Sequence, residues 1–281
     1  MSEAPPEPII DAHQHFWRIG EHDCVWPHSG LRDIHRDFEA VELKTLAGAV
    51  GVRGSVLVQS QPSDRDTDYL LALAAEEPFV QAVVGWVDLA SPTAPARIAE
   101  LASHPKFRGV RPMLQALAQD SWILDPSLQP ALSAMVEHGL SFDALVQPRH
   151  LPHLLAFAER HPELPMVIDH AAKPAIGRGE IAGWREGLQS LAALPHVHCK
   201  LSGLLTECAP GQGVEHLRPY VDHLLEMFGC ERLMWGSDWP VLNLSGDYAG
   251  WLAMAQDLVR GSGDKAVAWV FARSARGFYR F

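Results

Sequence analysis

Two histidines, His13 and His15, end an apolar run that begins at Ile9 (Ile9-Ile-Asp-Ala-His-Gln-His15). Side chains alternate along a strand, so both imidazoles share one face about 6–7 Å apart and can address a single centre. An imidazole can ligate a metal, carry a proton or polarise a carbonyl oxygen. Two further apolar runs end on residues of the same kind, Val167-Ile-Asp-His170 and Met234-Trp-Gly-Ser-Asp238. A carboxylate kept ionised by neighbouring imidazoles can take a proton from water or join a metal's ligands. The competing readings are structural: hydrogen-bonded core histidines, and Asp238 as the N-cap of the segment that follows. His13, His15, His170 and Asp238 thus form the candidate catalytic cluster, drawn from three different strands.

Residues so far apart need a scaffold that gathers strand ends. The chain alternates short β-branched runs with amphipathic stretches, the pattern of parallel strands joined by crossover helices. The predicted strands are Ile9–His15, Ser55–Gln59, Val80–Val87, Gly109–Arg111, Leu140–Val146, Met166–His170, Val197–Leu201 and Leu233–Asp238. The predicted helices are Ala40–Val50, Asp66–Glu76, Pro95–Ser103, Gln129–His138, Leu151–Arg160, Ile181–Leu194 and Pro219–Phe228, with Tyr248–Val259 and Ala266–Tyr279 after the last strand. Such a series specifies an α/β chain folded as a single (β/α)8 TIM barrel over residues 1–281 with extra C-terminal helices. The 281 residues are close to the roughly 250 of one barrel, so no second domain is required. Chemistry in these barrels sits at the carboxyl ends of the strands.

That geometry also nominates substrate contacts. Arg111 and Arg149 present guanidinium forks for hydroxyls or a carboxylate, and a surface ion pair is the competing reading for Arg149. Gln59 and Lys200 stand at strand ends. Trp17, Trp26 and Trp122 offer aromatic faces to a ligand, with ordinary packing as the competing reading, and Trp239 walls the site beside Asp238.

The formal net charge of −11, with no basic cluster, argues against a nucleic-acid surface, which needs grouped Lys and Arg to displace counterions. No apolar run is long enough to span a membrane. The opening Met1-Ser-Glu-Ala-Pro-Pro-Glu-Pro lacks the basic and apolar regions of a secretion signal, which predicts a cytoplasmic location. Cys24, Cys199, Cys208 and Cys230 form no CxxC pair and read as reduced thiols.

Seven blocks in order along the chain carry a resemblance: Asp11-Ala-His-Gln-His-Phe-Trp17, Val84-Gly-Trp-Val-Asp-Leu89, Arg108-Gly-Val-Arg111, Leu145-Val-Gln-Pro-Arg-His150, Asp169-His-Ala-Ala-Lys-Pro174, Cys199-Lys-Leu-Ser-Gly203 and Gly236-Ser-Asp-Trp-Pro240. Together they resemble the amidohydrolase superfamily, and within it the branch of L-fucono-, L-rhamnono- and 2-pyrone-4,6-dicarboxylate lactonases. The resemblance implies hydrolysis of a small-molecule lactone, with His13, His15 and His170 polarising the carbonyl and Asp238 activating water. It also implies that these four residues are the ligands of any metal. Where many relatives carry a metal-bridging lysine on the fourth strand and a histidine on the fifth, this chain has Arg111 and the Phe142–Val146 run. The expectation is therefore one divalent ion at most, zinc or manganese, or none. Sugar lactonases often read Arg-His where this chain reads Arg111-Pro112, so one substrate contact is missing or replaced. Two alternatives stay open: a metal-dependent decarboxylase of an aromatic or unsaturated acid, and a non-catalytic barrel that binds a sugar acid.

Overall fold

The computed structural model describes residues 7–281. Eight strands, β1 (Ile9–Gln14), β2 (Val52–Val58), β3 (Val80–Gly85), β4 (Phe107–Val110), β5 (Ser141–Ala144), β6 (Met166–Ile168), β7 (Val197–Leu201) and β8 (Leu233–Trp235), lie in chain order, and each pairs in parallel with the next. Between them run α1 (Ala40–Ala49), α2 (Asp64–Glu76), α3 (Ala94–Ala102), α4 (Gln129–Glu137), α5 (Leu151–Arg160), α6 (Ala182–Ala192) and α7 (Val214–Phe228). They are followed by α8 (Tyr248–Arg260), α9 (Asp264–Ala268) and α10 (Ser274–Tyr279). This is the (β/α)8 barrel expected. The strands are buried on both faces, which is why their sequences are nearly continuous apolar runs.

Two apolar clusters result. The larger lies between strands and helices. The smaller holds Ile10, Ala12, Val56, Val58, Ala82, Val84, Val167 and Met234, with Ala272, Ala275 and Tyr279 from the C-terminal helices packed onto them. The C-terminal segment thus closes one end of the barrel interior. It was expected as one helix over Ala266–Tyr279. Instead it passes through a π-turn, Trp269–Arg273, between α9 and α10, and such turns add a residue and re-aim the chain. Helix α7 begins at Val214 rather than at Pro219, so the proline lies inside it at the loss of one intrahelical hydrogen bond.

Strand β1 departs from strict alternation. Its register runs Asp11↔Ser55 and then Gln14↔Leu57, so one extra residue on β1 forms a bulge. Asp11 thereby faces outward to the Tyr248 hydroxyl of α8, 2.9 Å away, while His13 turns inward to Lys200, 3.1 Å away. The last seam, β8 to β1, is closed by two backbone bonds at the site itself. Asp238 N–H donates to His13 C=O at 2.7 Å and His15 N–H to Trp239 C=O at 2.8 Å. Gly236 permits that approach, since a Cβ there would lie 2.6 Å from His13 Cβ. Among the described residues no helix is long and apolar enough to cross a membrane.

Candidate active site

Strands β6 and β8 stop at Ile168 and Trp235, short of the expected His170 and Asp238. Both residues sit on turns beyond the strands in the left-handed region, with φ of 53° and 59°. Each such non-glycine conformation costs on the order of 1–3 kcal/mol and persists where the surroundings over-determine it. His170, Ala171, Ala172 and Lys173 are all left-handed in succession, which swings the imidazole inward. Gly203 makes room for it: a Cβ there would stand 2.5 Å from His170 Nδ1, and its φ of +63° suits glycine.

These turns bring the four predicted residues together. The Nε2 atoms of His15, His13 and His170 lie 3.2, 3.7 and 3.8 Å from one oxygen, Asp238 Oδ1. The ring centroids of His13 and His15 are 4.9 Å apart, and those of His13 and His170 4.5 Å. Burial alone would raise the Asp238 carboxyl, but the charge that His170, His15 and His13 carry in acid outweighs it and holds it well below the usual carboxylate range. Burial pushes His170 down to about 4 against the pull of Asp238. It drives His13 down too, helped by Lys200. The result is an ionised carboxylate beside the neutral imidazoles of His13 and His170.

The His15 tautomer is set by its other nitrogen. Nδ1 lies 2.7 Å from Val58 C=O, and a carbonyl only accepts, so Nδ1 carries the proton. In the neutral ring the Nε2 lone pair then faces the Asp238 oxygen at 3.2 Å. Two lone pairs at that distance call for a cation between them, either a proton or a metal ion. The donor set therefore fits a divalent ion. Two three-residue groups have ligand atoms within 4.8 Å of one another: His13, His15 and Asp238, and His13, Asp169 and His170. They share His13, and Asp169 is already engaged by Lys200 at 3.0 Å and Arg111 at 3.2 Å. Calorimetric titration of the chelator-treated protein with zinc should therefore saturate at one ion per chain or fewer. A second equivalent held as tightly as the first would show that the shared histidine does not limit the site.

The expected substrate contacts divide. Arg111 and Gln59 lie in the barrel mouth, with Gln59 Nε2 donating to Arg111 C=O at 2.7 Å and Arg111 Nη2 bonded to Gln59 C=O. Gln59 Oε1 and Arg111 Nε are buried without a partner among the described residues, which leaves hydrogen-bonding capacity for a ligand. Arg149 is half-exposed and paired to Asp120 at 3.0 Å; it lines a cavity of about 420 Å³ together with Lys173 and Glu207. Lys200, expected at a strand-end contact, instead lies wholly buried beneath His13, because its position on β7 points into the barrel. Trp17 and Trp239 are also buried. Trp17 donates from Nε1 to Arg36 C=O and Trp239 packs on Phe16 and Phe38, so they support the wall instead of presenting a free face. Trp26 lies edge-on over Trp17, and Trp122 packs against the core.

Sequence reasoning missed the polar layer below the cluster. Lys200 Nζ donates to Asp143 Oδ2 at 2.7 Å, and the Tyr279 hydroxyl donates to that same oxygen at 2.5 Å. Burial raises the Asp143 carboxyl despite Lys200. Burial works on Asp169 in the same sense, but Lys200, His13 and Arg111 keep it well below the usual range. A lone charged residue in the Leu140–Val146 run, apolar apart from it and Ser141, was the available signal.

A parallel barrel whose strand ends gather three imidazoles around a carboxylate defines the fold and site of a barrel hydrolase. The chain belongs to the amidohydrolase family, whose model matches residues 10–281. It is 54% identical over 275 residues to an L-fucono-1,5-lactonase of Burkholderia ambifaria, covering 96% of this chain and 95% of that one. It is 39% identical over 250 residues to an L-fucono-1,5-lactonase of Burkholderia multivorans, covering 85% and 84%. A crystal structure of an amidohydrolase from Burkholderia multivorans with bound zinc superposes with a TM-score of 0.92 at 35% identity, covering 98% of this chain and 100% of that one.

Proposed function

We propose that the protein is a carboxylic ester hydrolase that opens a sugar lactone, of the L-fucono-1,5-lactone kind, to its aldonic acid. The observation that carries the reaction type is the meeting of three imidazole Nε2 atoms on one buried Asp238 oxygen. The 54% identity with an L-fucono-1,5-lactonase supports the substrate class.

Hydrolysis requires a water to lose a proton as it attacks the lactone carbonyl, whose oxygen becomes an oxyanion. Asp238, ionised at neutral pH, accepts that proton. The Arg111 guanidinium, and those imidazoles that present an N–H to the centre, stabilise that oxyanion. His15 can donate from Nε2 only as an imidazolium, because its Nδ1 proton is committed to Val58. When the tetrahedral intermediate collapses, the ring C–O bond breaks and the proton held by Asp238 passes to the departing alkoxide. Lactone and water become a hydroxy acid, which ionises and releases one proton. His13, His15, His170 and Asp238 would hold a divalent ion, zinc or manganese, which when bound supplies Lewis-acid polarisation and acidifies water.

Proton release gives the test. In a pH-indicator assay over a panel of aldonolactones, with and without chelator, at least one lactone should be opened. No turnover of any lactone overturns the reading, and carbon dioxide release from aromatic acids in its place would move the protein to the decarboxylase alternative.

A further inference from the structure

The cavity at the far end of the His170–Lys173 turn, lined by Lys173, carries charge in a particular way. It is lined by Gln147, Arg149, Lys173, Arg178, Glu180 and Glu207, among others, and its volume of about 420 Å³ is within the range of small-molecule sites. Every cation on its wall has a carboxylate partner: Arg149 with Asp120 at 3.0 Å, Arg178 with Glu180 at 2.7 Å and Lys173 with Glu207 at 3.9 Å. A carboxylated lactone needs cations free to meet it. None of these three is free, so the balanced wall suits a neutral ligand.

The pairs are not equivalent. Arg178 and Glu180 are largely exposed, whereas Lys173 and Glu207 are 22% and 26% exposed. At 3.9 Å the Lys173 ammonium and Glu207 carboxylate are beyond hydrogen-bond distance, and each keeps donors or acceptors to spare. A vicinal diol fits such a pair, accepting from the ammonium through one oxygen and donating to the carboxylate through the next. Both residues are tied to the reaction centre. Lys173 ends the left-handed turn that places His170, and its N–H donates to His170 C=O at 2.8 Å. Glu207 ends the short turn Leu205–Glu207 just beyond β7 and Gly203, and burial raises its carboxyl, with Lys173 opposing the rise and Asp238 adding to it.

We infer that Lys173 and Glu207 form the hydroxyl-recognition element of this site, receiving a vicinal diol of a neutral, polyhydroxylated lactone and turning carboxylated lactones away. The inference rests on the lactonase reading and specifies its substrate class. Glu207 supplies the selection: its carboxylate, 26% exposed on the cavity wall, repels a second carboxylate brought by a ligand.

The test is a ratio of kcat/KM values for an aldonolactone and for unsubstituted δ-valerolactone, the latter followed at raised enzyme concentration. The ratio does not depend on how much enzyme is folded, so it remains readable if a variant is partly unstable. In Lys173→Met and Glu207→Gln the ratio should fall by about 10- to 100-fold, the loss expected for a charge-assisted hydrogen bond to substrate. Lys173→Arg, which keeps the donor, should recover most of it. A ratio within threefold of wild type in both variants would show that the pair only braces the His170 turn, and would overturn the inference while leaving the lactonase reading intact. Wild-type protein inactive on every lactone would overturn both.

Discussion

Asp238→Asn should lower lactone turnover by about a thousandfold while leaving the metal-free protein as stable as wild type or more so. The rate loss follows from removing the group that accepts the water's proton, a role worth roughly 10²–10⁴-fold. The unchanged stability follows from the His15 tautomer. With the Nδ1 proton on Val58, the His15 Nε2 lone pair faces the Asp238 oxygen at 3.2 Å. An asparagine turned so that its amide N–H donates to that lone pair replaces a repulsive contact with a hydrogen bond in an isosteric side chain. Steady-state assays of proton release and thermal unfolding measured on one preparation separate the two effects. Turnover within tenfold of wild type would sink Asp238 as the base, and a large drop in unfolding temperature would mean that the carboxylate is held by a cation in the resting protein.

The parts of this site that were legible in the sequence are those whose signals are local. His13, His15, His170 and Asp238 are polar residues at the ends of apolar runs, and barrel topology alone says that such ends converge. The geometry that makes them meet was not local. The bulge between Asp11 and Gln14 exists because β1 spends three residues where β2 spends two, a count visible only once the strands pair. The left-handed turn His170–Lys173 contains no glycine, so its residues gave no sign of it; the glycine that allows it, Gly203, lies beyond the next helix and strand. Lys200 was read at a strand end as a contact for substrate, and the side-chain period alone cannot tell the rim of a barrel from its interior. Asp143 and Tyr279, which accompany it, come from β5 and the C-terminal helix, and nothing in either segment names the other. Local propensity and pattern therefore recovered the fold, while the charged layer under the site depended on contacts across the whole chain.

That layer carries the second large effect. Lys200→Met should destabilise the protein by about 3–5 kcal/mol, the usual consequence of removing one partner from a buried ion pair. In a chain of this size the loss lowers the unfolding temperature by on the order of 10 °C. Lys200 is wholly buried, with its ammonium 2.7 Å from Asp143, 3.0 Å from Asp169 and 3.1 Å from His13 Nδ1. Methionine has the length but not the charge. Asp169 would keep Arg111, whereas Asp143 would keep only the hydroxyls of Tyr279 and Ser141. The Asp143 carboxyl, already raised by burial in the wild type, would rise further once the ammonium is gone. A carboxyl raised in the folded state binds its proton more tightly there than in the unfolded chain, so acid favours the fold and the stability is lost as pH climbs through the raised value. The difference in unfolding temperature between Lys200→Met and wild type should therefore be largest at neutral pH and shrink on acidification. Adding Asp143→Asn to Lys200→Met removes the stranded charge and should restore at least half of the loss, since replacing both members of a buried pair is often close to neutral. Turnover should remain depressed in the double variant, because His13 still lacks the donor beneath Nδ1. A double variant as unstable as the single one would locate the damage in packing under His13 and not in the unpaired carboxylate.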